Sequence, residues 1–334
     1  MPEIHLFLLL SVIGSALVFD YFNGINDSAN AVATCVSTRA LSLKTAVILA
    51  AVCNLLGALV STKVALTIGK QLVNSEQIDM LTLLAGLLGS VGWSFLTWRF
   101  RIPSSSTHAL MGGLVGATLA HAGFGAVNVK GLSAVVLALV LSPVAGLVLG
   151  FLGEIALVRF ARHGNRLRLN KMFRRGQAIS AAFVAFAHGT ADAQKSMGII
   201  TLALFSGGLI SRFAVPWPVM LLCALVISLG TAIGGWRIIK TVGSGFVRLQ
   251  PVDGLCVQLV ASSVILAASA CGFPSSTTHV VMSAIVGTGL TRSFSSVNWK
   301  IVRNILCAWL FTIPCAALLA FCVHALLKTT IQLF

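Results

Sequence analysis

Long apolar runs broken by short polar strings recur along the whole chain. Residues 4–19, 45–60, 81–96, 132–152, 216–233, 255–270 and 301–327 each come near or exceed the ~20 residues that carry a helix across ~30 Å of hydrocarbon. This pattern predicts membrane helices; a β-barrel would show short alternating strands instead. The first run has no basic segment ahead of it, and the first lysine or arginine is Arg39, so it is expected to stay as the first helix rather than leave as a signal peptide.

Composition agrees with the pattern. Of 334 residues, 57% are hydrophobic and 9% charged, and the mean hydropathy of +0.97 lies far from that of soluble domains. A formal charge of +15 raises nucleic acid as a partner. The bases, however, gather at the ends of apolar runs: seven of the 23 lie between Arg159 and Arg175, with no acid among them. That distribution excludes nucleic acid and predicts a cytoplasmic loop in contact with anionic membrane lipid. The eight cysteines sit mostly inside apolar runs without a CxxC pair, so they read as packing residues and no metal site is expected.

The chain also repeats itself. Residues 103–116 read PSSSTHALMGGLVG and residues 274–287 read PSSTTHVVMSAIVG, identical at eight of 14 positions. A weaker pair, NGINDSAN at 23–30 and HGTADAQK at 188–195, shares Gly24 with Gly189 and Asp27 with Asp192. Both pairs keep the same order and nearly the same spacing: 79 residues from Gly24 to Pro103, 85 from Gly189 to Pro274. A doubled chain of this kind points to a transporter with its site between the halves, built from discontinuous helices near the membrane midplane. The Asn-Gly, Asn-Asp and Pro-Ser-Ser strings are expected to break or start helices, bringing four helix N-termini together. Such ends present free N–H groups and partial positive charge, which suits an oxyanion.

Asp27 and Asp192 are the acids that recur in both halves, and an intramembrane carboxylate is by default functional. Asp20 faces no acidic counterpart at Ala185 and is read as structural; Glu154, near a helix end, is expected to pair with Arg159 or to snorkel. The hydroxyls of the PSSSTH and PSSTTH strings serve equally well as helix caps or as anion ligands, and His108 and His279 as proton carriers or as plain hydrogen-bond donors. A serine beside a histidine also raises an intramembrane hydrolase, but the whole cluster occurs twice, whereas a hydrolase needs one nucleophile with one base. A passive anion channel fares worse against the paired aspartates, which repel an anion unless a cation or proton accompanies it.

At these residues the chain resembles the inorganic phosphate transporter (PiT) family, whose signatures are GxNDxAN and HGxND. Here they read GINDSAN at 24–30 and HGTAD at 188–192, joined by the two P-S-S-[ST]-[ST]-H strings. The resemblance spans essentially the whole chain. It implies an all-α polytopic membrane protein of two inverted repeats with re-entrant helices, a transport domain against a scaffold, and a homodimer. The expected division is a first repeat at 1–158, a basic cytoplasmic linker at 159–176 and a second repeat at 177–334, in the cell inner membrane. The resemblance further implies that Asn26, Ser105, Ser106, Thr107, Ser276, Thr277 and Thr278 bind inorganic phosphate, and that Asp27, Asn30, Asp192 and Lys195 serve the coupling ion. His108, His188 and His279 are relay candidates.

Two departures carry information. Lys195 stands where the first half has Asn30, as in the bacterial branch, described as coupled to protons and moving phosphate with a divalent metal; its ammonium would fill the place of a sodium ion beside Asp192. Ala191 stands where the family pattern and its repeat partner Asn26 call for asparagine, so this site position is altered. The reading is proton-coupled phosphate import by alternating access, with sodium coupling or a sulfate substrate as alternatives.

Overall fold

The computed structural model describes residues 2–71, 78–100, 102, 104–233 and 249–332. Among them are eleven α-helices: α1 (Pro2–Ser37), α2 (Leu43–Ala58), α3 (Lys63–Gln71), α4 (Met80–Phe100), α5 (Ser106–Ala122), α6 (Val129–Ala161), α7 (Arg166–Ser206), α8 (Trp217–Ile233), α9 (Pro251–Ala270), α10 (Thr277–Leu290) and α11 (Trp299–Gln332). Five are long and apolar enough to cross a membrane, and α2 with α3, bent by 70° at their junction, form a broken span or a re-entrant loop. The protein is an all-helical, multi-span membrane protein.

The helices divide into those that meet lipid and those that do not. α6 and α11 expose Leu137, Leu141, Val148 and Leu318, Phe321, Leu326. α7 is different. It is 41 residues long and buried through most of the stretch from Phe173 to Ala203, enclosed by α1, α2, α3, α8 and α9. Its buried polar residues other than Thr201 have protein partners, so it does not need the hydrophobicity of a lipid-facing helix, and apolar runs alone do not reveal it as a major element.

Packing repeats across the two halves. α1 lies on α8 as α7 lies on α2, and α5 lies on α11 as α10 lies on α6. The glycines shared by the first motif pair permit two of these approaches: a Cβ at Gly24 would sit 2.3 Å from the Ile227 carbonyl oxygen of α8, and one at Gly189 2.1 Å from that of Asn54 in α2. α6 and α11 each carry an internal proline, Pro143 and Pro314, both 40 residues after the proline of their PSS string.

The expected helix breaks appear at one motif pair only. α5 and α10 start at the PSS strings, where Ser105 and Ser276 accept hydrogen bonds from His108 N and His279 N, 3.2 and 3.3 Å away. The GINDSAN and HGTAD strings instead lie inside unbroken α1 and α7. Their glycines serve close helix contact, and the backbone hydrogen bonds of α1 and α7 run through both strings, so nothing there forces the backbone to open. Two helix N-termini meet two helix midsections, in place of four converging ends.

α4 and α5 double back, setting Asp79 3.9 Å from His121 at the base of a hairpin whose Ser105 tip is buried. α9 and α10 do the same, with an Asp253–Arg292 ion pair at the base and buried Ser275 and Ser276 at the tip. The expected basic loop is shorter than its charge run suggests: α6 continues to Ala161 and α7 begins at Arg166, capped by Asn165, so most of the bases lie on the exposed first turns of α7. Glu154 neither snorkels nor pairs with Arg159; it is 1% exposed, beside Asp253 and Cys256. Asp20 is buried with its Oδ1 accepting from Ser196 Oγ at 2.7 Å, which ties α1 to α7.

Candidate functional site

Two helix midsections and two helix starts bring six polar side chains to one buried point. Asp27 comes from α1, His188, Asp192 and Lys195 from α7, Ser106 from the start of α5 and Thr278 from the start of α10. Positions 188, 192 and 195 are spaced i, i+4 and i+7, which puts all three on one face of α7. Lys195 Nζ lies 2.9 Å from Asp192 Oδ2 and donates to Ser106 Oγ at 2.9 Å. Ser106 Oγ stands 3.2 Å from Asp27 Oδ2 and 3.5 Å from Asp192 Oδ2. Thr278 Oγ1 donates to Asp27 Oδ1 at 2.5 Å. The acids from the two halves thus share the hydroxyl at the start of α5.

His188 completes the cluster, and its hydrogen bonding fixes its tautomer. Nδ1 lies 2.9 Å from Asn54 Oδ1, while Asn54 Nδ2 donates to Thr231 Oγ1 at 2.7 Å and Thr231 Oγ1 donates to Ile227 O at 2.9 Å. That chain leaves Asn54 Oδ1 as acceptor, so Nδ1 carries the hydrogen. Nε2 then faces Asp192 Oδ2 at 3.3 Å and Asp27 Oδ2 at 4.0 Å. An Nε2 lone pair against two carboxylates is repulsive. The arrangement becomes attractive when a proton or another cation sits between them.

Charge counting says the same. Two carboxylates against one ammonium leave the cluster at −1 with His188 neutral, and one added cation makes it neutral. Donor atoms of Asp27, His188 and Asp192 lie within 4.8 Å of one another, so they can hold a cation, although no metal site was expected from the sequence. The side chains of all three are at most 2% exposed, which raises the cost of any uncompensated charge.

The remaining sequence candidates are placed as follows. Thr107 Oγ1 donates across the halves to Ser275 O at 3.0 Å. Ser105 and Ser276 cap their own helices, and Thr277, buried, opens α10. Asn26 is next to Asp27 on α1, with its Oδ1 buried and unpartnered among the described residues; the side chain of Asn30 lies outside the described residues. The His108 and His279 rings meet at a tilt with centroids 4.4 Å apart, and His279 stacks on Trp309 at 3.6 Å, lining a crevice of about 480 Å³ between α6 and α11. Of the three relay candidates, His188 is the one paired with the acids. Ala191 is 3% exposed within an apolar cluster.

Sequence reading missed several participants. Asn23, one turn before Asp27, is buried with both amide atoms unpartnered among the described residues, a free donor and acceptor for a guest. Its repeat partner is His188, a signal available from the motif alignment itself. Asn54 and Thr231 had no local signal, because their partners are 134 and 177 residues away. Thr190 and Gln194, inside the second motif, repair the α2–α3 bend. Thr190 donates to Gly57 O at 3.0 Å, and Gln194 Oε1 accepts from Val64 N at 2.7 Å and Ala65 N at 3.2 Å. A break in a buried helix pair needs such partners.

Comparison with known proteins matches this architecture. The model of the phosphate transporter family covers residues 23–320. A probable low-affinity inorganic phosphate transporter of Bacillus subtilis is 43% identical over 320 residues, covering 95% of this chain and 96% of its own length. A protein of the same description from Mycobacterium bovis is 42% identical over 319 residues, 95% of this chain and 76% of that one. A solved structure described as the sodium-dependent phosphate transporter aligns with a TM-score of 0.87 at 26% identity, over 96% of this chain and 99% of that one. The chain therefore belongs to the phosphate transporter (PiT) family, whose members are transporters and not enzymes.

Proposed function

We propose that this protein imports inorganic phosphate in symport with protons, by alternating access around the Asp27–His188–Asp192–Lys195 cluster. The observation that carries this reading is the position of His188 Nε2, 3.3 Å from Asp192 Oδ2 and 4.0 Å from Asp27 Oδ2, which marks a place for one mobile positive charge. Lys195 supplies the fixed one. Phosphate would lie against the starts of α5 and α10, taking hydrogen bonds from Ser106, Thr278 and the helix N–H groups as those hydroxyls leave Asp27. Its relatives' description supports the substrate.

In this reading the halves, residues 1–158 and 177–334, are inverted repeats joined by the basic segment 159–176 on the cytoplasmic side of the inner membrane. The exchanged packing of α1 on α8 and α7 on α2 supports the symmetry. The two hairpin bases support the inversion: His121, 3.9 Å from Asp79, is on the last turn of α5, just before the short link to α6, and Asp253 lies beside Glu154 near the end of α6. Sodium coupling is the second reading, favoured by the likeness to a structure described as sodium-dependent. Labelled phosphate uptake in proteoliposomes separates them, with pH and sodium gradients imposed one at a time and sulfate and arsenate as competitors. A pH gradient alone is expected to drive uptake that arsenate inhibits. Drive by sodium alone would establish the second reading, and strong inhibition by sulfate but not arsenate would overturn the substrate.

A further inference from the structure

Among the described residues, metal-ligating side chains gather at one place besides the acid cluster: Asp79, His121 and His324. They come from three elements, Asp79 just before α4, His121 on the last turn of α5 and His324 in the second half of α11. The hairpin sets Asp79 Oδ1 3.9 Å from His121 Nδ1, and the His121 and His324 rings meet edge to face with centroids 5.6 Å apart. One donor atom from each residue lies within 4.8 Å of the other two.

Two observations mark this group as more than a surface ion pair. His324 is 1% exposed, yet its Nε2 has no hydrogen-bond partner among the described residues. Folded proteins rarely leave such an atom unpaired. Asp79 Oδ1, for its part, is held by Thr82 N at 2.8 Å and Thr82 Oγ1 at 2.6 Å, the kind of outer contact that orients a ligating carboxylate.

We propose that Asp79, His121 and His324 bind a divalent transition-metal ion of the zinc type at the base of the α4–α5 hairpin. Two imidazoles and one carboxylate suit zinc, whereas magnesium and calcium prefer oxygen shells. Bonds of about 2.0–2.2 Å require the donors to draw closer than their present spacing. The side chains of Asp79 and His121, 48% and 30% exposed, have room to rotate inward. The exposed Lys328, one turn beyond His324, opposes the ion, which favours reversible binding. The ion ties the base of the α4–α5 hairpin to α11; in the α9–α10 hairpin the Asp253–Arg292 pair joins the two arms without metal.

The test is calorimetric titration of zinc into the purified full-length protein, freed of any histidine tag and with magnesium present, for the wild type, His121→Ala and Asp79→Asn. Asparagine keeps the helix cap of α4 while removing the charge. Each variant is expected to lose one zinc equivalent or to bind it at least about 10-fold more weakly. Zinc should also raise the unfolding temperature of the wild type but not of His121→Ala. An unchanged melting temperature without zinc identifies a folded variant; if His121→Ala misfolds, Asp79→Asn carries the test. Zinc binding that is equal in all three proteins, or absent from the wild type, overturns the proposal; equal binding would place the ion at the Asp27 cluster.

Discussion

The two halves present the same motif to the same point and do different things with it. On α1, Asp27 accepts from hydroxyls at the starts of α5 and α10. On α7, Asp192 is paired within its own helix to Lys195 three residues on, with His188 Nε2 four residues back facing it at 3.3 Å. Replacing Asn30 by Lys195 and Asn23 by His188 has turned one of two equivalent acids into a fixed ion pair. The difference teaches that a repeat can keep its backbone while placing its acids differently: Asp192 sits in an ion pair, and Asp27 is gripped by hydroxyls; in the proposed function the first would hold charge in place and the second exchange partners.

The first way to break this comparison is Asp27→Asn, which is expected to reduce phosphate uptake to background while leaving the protein folded. Substantial residual uptake in proteoliposomes would remove Asp27 from the mechanism. Next is Lys195→Asn, which copies Asn30 onto α7. Removing one partner of a buried pair costs about 3–5 kcal/mol, which thermal unfolding in detergent would register. The same variant should lose uptake driven by a pH gradient and gain dependence on sodium; unchanged proton drive would show that the ammonium does not stand in for a cation.

Smaller effects sharpen the account. Asn54→Leu removes the acceptor that orients His188, and outer partners of this kind are worth about 10–100-fold in binding or activity. The loss should appear mainly in the pH dependence of uptake, and a profile identical to wild type would show that the tautomer is irrelevant. Smallest is Ala191→Asn, which restores the residue that both Asn26 and the family signature call for and should raise phosphate affinity a few-fold. Equal uptake by both versions would place position 191 outside the site, in keeping with its apolar surroundings.

The site was legible where chemistry repeats. Asp27 and Asp192 stood out because a costly intramembrane acid recurs at matching positions, and the PSS strings because proline with serine is a local helix-start signal that lipid cannot override. What stayed hidden depended on distance in sequence. Asn54 and Thr231 reach the site through contacts more than 130 residues long, and neither stands in a motif. GINDSAN and HGTAD hold residues that favour turns in water, yet α1 and α7 run through them, with Gly24 packed on α8 and Gly189 on α2. The importance of α7 was hidden for a related reason, since a helix enclosed by protein has no need to be apolar all round.

The central claim is that one mobile proton balances the Asp27–His188–Asp192–Lys195 cluster while phosphate is bound. Its most direct test is labelled phosphate uptake into sodium-free proteoliposomes with an imposed pH gradient, acidic on the side from which phosphate enters. The account predicts accumulation above equilibrium that collapses when a protonophore is added. Uptake that ignores the pH gradient and follows a sodium gradient would contradict it.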